Sequence, residues 1–288
     1  MDYIAMIQNR KSVRGFSDKK VSAGMLAEIE AYYQKECQRL LPSLETELRI
    51  FGSEAREALE GSAGYENFLI GAPQYLVLLT AEDEYAEENA GFMMEDMILK
   101  LTEMDLGSCW ITFADGNKVK DALKIDSPMK VAAIAAFGYG EKLAKRLRLN
   151  ILSMSNVDVR AKRHYYDPKV SISDMVFLNE WGNGDGLDAF IGFYDDMLWE
   201  AFYASTLTPS YLNRQPYAFV IRDHKLLLVR KPDDYTDEVS AKLGLGIVML
   251  HFACVASRWS GKVNWEPGQD ADDIVLPEGH TVAAVCSL

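Results

Sequence analysis

Closely spaced cysteines are missing from this sequence. Cys37, Cys109, Cys254 and Cys286 lie far apart and form no CxxC pair. That excludes a disulfide framework or a zinc cluster and leaves buried free thiols as the expectation. Basic residues are in deficit: 30 Lys and Arg stand against 43 Asp and Glu, a formal net charge of −13. Such a balance offers no general nucleic-acid footprint and disfavours anionic membranes. Long apolar runs are lacking too. Stretches such as 131–137 and 245–250 fall far short of the about 20 residues a membrane helix needs. The start, MDYIAMIQNRKSVRGF, has no basic lead followed by an apolar stretch, so no signal peptide is read and a cytoplasmic protein is expected. There is no GxxxxGK[ST], HExxH or GxSxG, and Gly244-Leu-Gly246 lacks the rest of a dinucleotide fingerprint. The four histidines are scattered, and His251 sits in an apolar helix, where a satisfied core histidine is the simpler reading than a base. No metal site and no catalytic side chain are expected.

What is present is the makings of a core. The 288 residues are 49% hydrophobic and 25% charged, enough for one large domain or two small ones. Apolar spacing and turn residues predict helices over 3–8, 21–41, 86–106, 117–123, 187–205 and 240–259. Strands are predicted within 42–53 and over 74–80, 130–138, 217–221, 226–229 and 281–287. Gly107 is read as the stop of the helix before it. Residues 150–183 are less regular, and the Trp181-Gly-Asn-Gly-Asp-Gly186 loop is a candidate link. The order of pieces repeats weakly. Each half has a proline before a strand, a long helix through a glycine (Gly91, Gly246), a tryptophan at the same distance beyond it (Trp110, Trp265) and a closing Val/Ala-rich strand. Duplication explains that spacing.

Two stretches are dense in groups that could hold a ligand. Arg10, Lys11, Ser12 and Arg14 place three cations and a hydroxyl in one turn. This is either a solvated surface turn or an anion site, since arginine forks and a serine hydroxyl suit phosphate. Lys142, Lys145, Arg146 and Arg148 form a second cluster open to the same two readings. Far along the chain, Pro209-Ser210-Tyr211-Leu212-Asn213-Arg214-Gln215-Pro216 makes a small polar hook before a strand. Asn213 offers a donor and an acceptor from one amide, which suits a heterocycle edge; holding its own turn is the alternative. Leu106-Gly107-Ser108-Cys109-Trp110 marks a tight turn after a long helix, with Trp110 readable as core or as ligand contact.

Together these motifs resemble the FMN-dependent nitroreductase family. That family carries an R-[RHK]-S-x-R turn, here Arg10-Lys11-Ser12-Val13-Arg14, and a PSxxNxQPW motif, here Pro209 to Tyr217 with tyrosine last. It also has an LGxxxW helix end, here one residue shorter, and a strand ending in Gly-Tyr, here Gly138-Tyr139. In ordinary members the two main motifs lie close in sequence; here each half holds one. The chain therefore resembles the tandem-half branch, a fused pseudo-dimer. The resemblance implies an α+β, nitroreductase-like fold in two related halves, each with a mixed, mainly antiparallel sheet flanked by helices. The halves would be 1–150, with the phosphate side, and 187–288, with the hook, joined by an arm at 151–186. It implies one FMN per chain. Arg10, Lys11, Ser12, Arg14, Lys145 and Arg148 would hold the phosphate end, and Pro209, Ser210 and Asn213 would face the ring. The backbone at Trp110, Ile111 and Thr112 would approach the flavin N5, with Gly64-Tyr65 as a further contact. It implies NAD(P)H as co-substrate, hydride passed through the flavin to a small electron-poor acceptor such as a nitroaromatic or quinone, and a monomer or homodimer. A flavin-binding store or redox sensor without efficient turnover is the alternative.

Overall fold

The structure is a computed structural model. It describes residues 1–65, 68–141, 146–153, 156–162, 169–193, 195–268 and 274–288; for 146–153, 156–162, 191–193 and 195–196 only the backbone is described. The first half contains α1 (Tyr3–Asn9), α2 (Ala23–Lys35), β1 (Thr46–Gly52), α3 (Ala55–Leu59), β2 (Gln74–Thr80), α4 (Ala86–Glu103), β3 (Gly107–Ile111), α5 (Gly116–Leu123) and β4 (Lys130–Gly138). A hairpin follows, β5 (Arg146–Ser153) paired with β6 (Asn156–Lys162). Then come α6 (Ile172–Met175), β7 (Val176–Leu178), α7 (Leu187–Phe193), α8 (Asp195–Thr206), a 3₁₀ turn at Tyr211–Asn213, β8 (Tyr217–Arg222), β9 (Lys225–Arg230), α9 (Glu238–Ser260), β10 (Glu266–Pro267) and β11 (Thr281–Ser287).

Two main sheets result. The first, in the order β1-β2-β4-β3, is antiparallel throughout. The second, β10-β11-β9-β8-β7, is mixed, because β7 joins β8 in parallel. Strand alternation buries both faces of the first sheet. Leu76 and Leu78 of β2 point toward α2 and α4, and Tyr75, Val77 and Leu79 point toward α3 and α5. In the second sheet Phe219, Ile221, Leu226 and Leu228 meet α8 and α9, while Val220, Leu227 and Val229 lie under Trp181 and Leu276. This is the α+β architecture expected from the sequence, with sheets flanked by helices.

Between the sheets α4 and α9 cross, backbone against backbone. A Cβ on Gly91 would run into the Leu243 carbonyl, and one on Gly246 would run into the Glu88 carbonyl. The contact is reciprocal: each glycine follows by one turn the residue its mate abuts. Both helices are therefore buried on nearly every side, and α9 is apolar nearly all round. On α4, Met93, Met94, Met97, Ile98 and Leu101 enter the first core, while Phe92 and Leu99 enter the second. Among the described residues α9 alone is long and apolar enough to cross a membrane. However, 78% of its most apolar window is buried inside the protein.

Two boundaries differ from the sequence reading, each for a local reason. Helix α2 stops at Lys35, not near 41, because side chains of α4 take its next backbone donors. The Gln38 N–H bonds Asp96 Oδ2 at 2.9 Å, and the Leu41 N–H bonds Asn89 Oδ1 at 2.9 Å. Helix α4 ends at Glu103, and the left-handed position after it belongs to Asp105, φ 57°. Gly107 opens β3 instead. Its missing Cβ leaves room for Val13, whose methyl groups would otherwise clash. The helix predicted over 187–205 is represented by α7 and α8, between which residue 194 lies outside the described residues.

Asp96 ties the N-terminal helices to α4, accepting hydrogen bonds from Tyr3 (3.0 Å), Tyr32 (3.0 Å) and the Gln38 amide. Burial pushes its carboxyl up from 3.8 to about 6, against the pull of those donors. A raised carboxyl favours folding while protonated, so its contribution is full below about pH 4 and lost as pH rises through about 6. By linkage the loss is on the order of 3 kcal/mol. Urea unfolding across pH 4–7 should therefore show Asp96→Asn gaining stability relative to the parent as pH rises; a pH-independent difference would contradict this account. In the same assay Gly91→Ala and Gly246→Ala should each cost about 1–3 kcal/mol or more by overpacking. Gly244→Ala, with nothing within 4 Å on the same helix, should be neutral or gain about 0.5–1 kcal/mol from the better helix former.

Candidate functional site

The basic turn is stitched to the edge of the first sheet. Because Gly107 has no side chain, Val13 lies close, and its N–H donates to Ser108 O at 2.8 Å. Ser12 bridges Ser108 in parallel, Ser17 N–H bonds Tyr139 O at 2.8 Å, and Glu141 N–H bonds Gly15 O at 3.0 Å. This backbone lacing leaves the side chains to divide. Lys11, Ser12 and Arg14 are exposed, and no ion pair to Lys11 or Arg14 occurs among the described residues. Arg10 turns inward, its side chain only 9% exposed and its Nε 3.4 Å from Glu95 Oε1. Both arginines lie near Cys109. Burial raises that thiol, and Arg14, Arg10 and Ser12 oppose the rise. The outward trio fits a phosphate: two cations and a hydroxyl, held by a fixed backbone, with no competing carboxylate bound to them.

Glu95 is the centre of the buried polar groups. Fully enclosed on α4, its Oε2 accepts the Trp110 indole N–H at 2.9 Å, and its Oε1 lies 3.2 Å from His251 Nε2 on α9. On the other side of the imidazole, Nδ1 lies 3.2 Å from Thr208 Oγ1 and 3.1 Å from Ala204 O. One run of contacts thus leads from Arg10 through Glu95 and His251 to Thr208, the residue before the hook. His251 is a satisfied interior histidine, as its apolar helix suggests. Trp110 sends its ring inward to Glu95, Ile111 is buried, and Thr112 is half-buried. Ile111 pairs with Ile134 in the sheet, and Thr112 O accepts from Gly64 N–H at 2.7 Å.

The hook is held by its own polar groups. Ser210 Oγ accepts from Gln215 N–H at 2.9 Å, and Asn213 Oδ1 accepts from Lys169 Nζ at 2.5 Å. Gln215 is the buried keystone. Its amide nitrogen donates to Thr206 O (2.7 Å), Thr208 O (3.3 Å) and Tyr217 OH (3.2 Å), and its carbonyl accepts from Val170 N–H (3.1 Å). These bonds sustain left-handed backbone at Leu212, Asn213 and Gln215, φ 47°, 58° and 49°, which is costly for residues with a Cβ. Outward the hook presents Arg214, paired with Asp233, and an apolar part. Leu212 is 53% exposed, and the Tyr211 ring sits 6.3 Å from that of Tyr65, beside Gly64.

The structure therefore gathers Arg10, Lys11, Ser12, Arg14, Trp110, Ile111, Thr112, Pro209, Ser210 and Asn213 around one linked assembly, with Gly64-Tyr65 bridging β3 to the hook. Lys142 and Lys145 lie outside the described residues, and Arg146 and Arg148 are placed only as backbone of β5. Glu95, Lys169 and Thr208 were missed by sequence reasoning. Glu95 left a signal: Glu95-Asp96 interrupts an apolar run in the middle of a helix, and buried carboxylates are rare unless paired. No group of residues suited to a metal occurs among the described residues.

A family model described as "Putative TM nitroreductase" matches residues 2–169. Among solved structures, a putative nitroreductase from Thermotoga maritima overlays with a TM-score of 0.58 at 18% identity, covering 100% of this chain and 94% of that one. A nitroreductase family protein from Clostridium novyi gives 0.44 at 18% identity, over 49% of this chain and 87% of its own. A putative nitroreductase in complex with FMN from Desulfovibrio desulfuricans gives 0.41 at 18%, over 51% and 91%. No curated protein matches.

Replacing Gln215 tests how the hook is held. Gln215→Ala strands the Val170 N–H and the Thr206 carbonyl, while Lys169 still serves the Thr208 carbonyl, so it should cost about 1–3 kcal/mol. Hydrogen exchange should quicken across 206–215 while β2 and β4 keep their protection. Unchanged exchange there would mean the backbone holds the hook without this side chain.

Proposed function

Because the chain belongs to the family described as "Putative TM nitroreductase", we propose that it is an FMN-dependent oxidoreductase taking hydride from NAD(P)H and passing it to a small electron-poor acceptor such as a nitroaromatic or quinone. One observation carries this reading. The cation turn and the hook, far apart in the sequence, are joined through Glu95 and His251 into one assembly, and Lys11, Ser12 and Arg14 face outward from it. That is the arrangement needed to grip a long ligand at both ends.

Lys11 and Arg14 would neutralise the phosphate, and the Ser12 hydroxyl would donate to it. The turn stands out in a chain of net charge −13, so it would draw an anion locally where the rest of the surface repels one. Tyr65, Tyr211 and Leu212 would cover the apolar part of the ring, beside the backbone that leaves β3 at Thr112. Ser210 and Asn213 serve that contact by keeping the hook in its left-handed course. When bound, FMN would supply two-electron exchange between the nicotinamide and the acceptor, chemistry that asks no acid or base of the protein. This accords with a site in which the titratable groups, Glu95 and His251, are enclosed. One flavin per chain is expected, since one cation turn and one hook are present.

The test is an absorption spectrum of the full chain after incubation with FMN and removal of excess, followed by anaerobic NADPH or NADH. A visible flavin band that bleaches on either addition, and returns with a nitroaromatic or quinone, is the expected result. A band that does not bleach would point to storage or sensing instead. Lys11→Ala and Arg14→Ala should each weaken FMN binding about tenfold or more, the worth of a charge-assisted hydrogen bond. Undiminished binding in both would remove the phosphate assignment.

A further inference from the structure

We propose that Glu95 is a positioning residue that sets the separation between cation turn and hook. Through that separation the site selects ligands spanning both, a ring system joined by a polar linker to a phosphate, over either half alone. The inference rests on the flavin reading above and assigns Glu95 a part in it.

Three observations support this. Glu95 touches the assembly from three directions: Arg10 from the turn, Trp110 from β3, and His251, which reaches Thr208 at the foot of the hook. The carboxylate and the imidazole are both fully buried, and removing one partner of such a pair leaves the other uncompensated. Each contact is therefore held by the others, and a shift of the turn would be felt at the hook. Finally, the two helices cannot slide to absorb that shift. Glu95 lies one turn beyond Gly91, and His251 just over one turn beyond Gly246, the glycines whose backbones are in contact.

The same geometry argues against a direct chemical role. Glu95 has no exposed surface, and Arg10, Trp110 and His251 surround its oxygens. It acts through its neighbours. The hook needs such an anchor because three of its residues hold left-handed backbone. Thr208 fixes the point at which that course begins, its hydroxyl at His251 and its carbonyl near both Gln215 and Lys169.

The experiment compares FMN with riboflavin, which has the same ring and linker without the phosphate. Affinities are measured by flavin fluorescence quenching on the full chain and on Glu95→Gln, Thr208→Val, their double variant and Arg14→Ala. The parent should prefer FMN. Glu95→Gln and Thr208→Val should each lower FMN affinity about tenfold and leave riboflavin nearly unchanged, and the double variant should lose no more than the worse single, as coupled residues do. Arg14→Ala should add its loss to either. FMN affinity unchanged in Glu95→Gln would overturn the proposal. So would equal losses for FMN and riboflavin, which a merely structural residue gives, or additive losses in the double variant. If Glu95→Gln fails to fold by circular dichroism, Thr208→Val, which removes one hydroxyl and keeps the shape, decides by the same comparison. A parent that binds neither flavin sinks the flavin function itself, and this inference with it, before any variant is read.

Discussion

The approach of α4 to α9 at backbone distance is the constraint on which the rest depends. Two glycines meet two carbonyls there, and no side chain could be inserted without prising the helices apart. Because the helices are so close, each can serve two cores, and each sheet can be wrapped on the other side of them. The reciprocity of the contact matters as much as its tightness. Each helix offers a glycine to the other's backbone, so neither can shift without losing both contacts.

Close approach also allows a polar contact inside an otherwise apolar seam. A carboxylate and an imidazole buried between helices contribute little net stability, since desolvation offsets their attraction. Their contribution is specificity of arrangement. A seam of methyl groups would permit several registers between α4 and α9, whereas Glu95 opposite His251, with Trp110 and Arg10 on the same carboxylate, accepts one. Asp96, the next residue along, does similar work outward. It ties Tyr3 of α1 and Tyr32 of α2 to the seam helix. Neighbouring acidic residues thus secure opposite faces of one helix.

Much of this was legible in the sequence, and the illegible parts have a common cause. Periodicity revealed β2, β4, α4 and α9 because burial of their own side chains defines them. The cation turn and the hook were legible because their residue types are unusual in sequence. Their convergence is implied only by the family resemblance, since spacing along a chain says nothing of partners across a fold. The end of α2 was misjudged because Asp96 and Asn89, distant in sequence, take the donors the helix would have used. Gly107 was read as a helix stop, while its purpose is to let Val13 lie close. For Asn213 the sequence leaves two roles open, a ligand edge or its own turn; in the structure Lys169 bonds Asn213 and Gln215 bonds Ser210, and of these partners Gln215 lies in the motif while Lys169 carries no signal in the sequence.

Helix α1 has a consequence for how the molecule is made. Ile7 lies in the second core, among residues of α8, β8 and α9, and Phe92 and Leu99 of α4 face the same core. During synthesis these side chains leave the ribosome long before the surfaces that cover them exist. The growing chain must therefore carry uncovered apolar groups on α1 and α4 until α9 has been translated, and α1 docks late although it is made before the core that receives it.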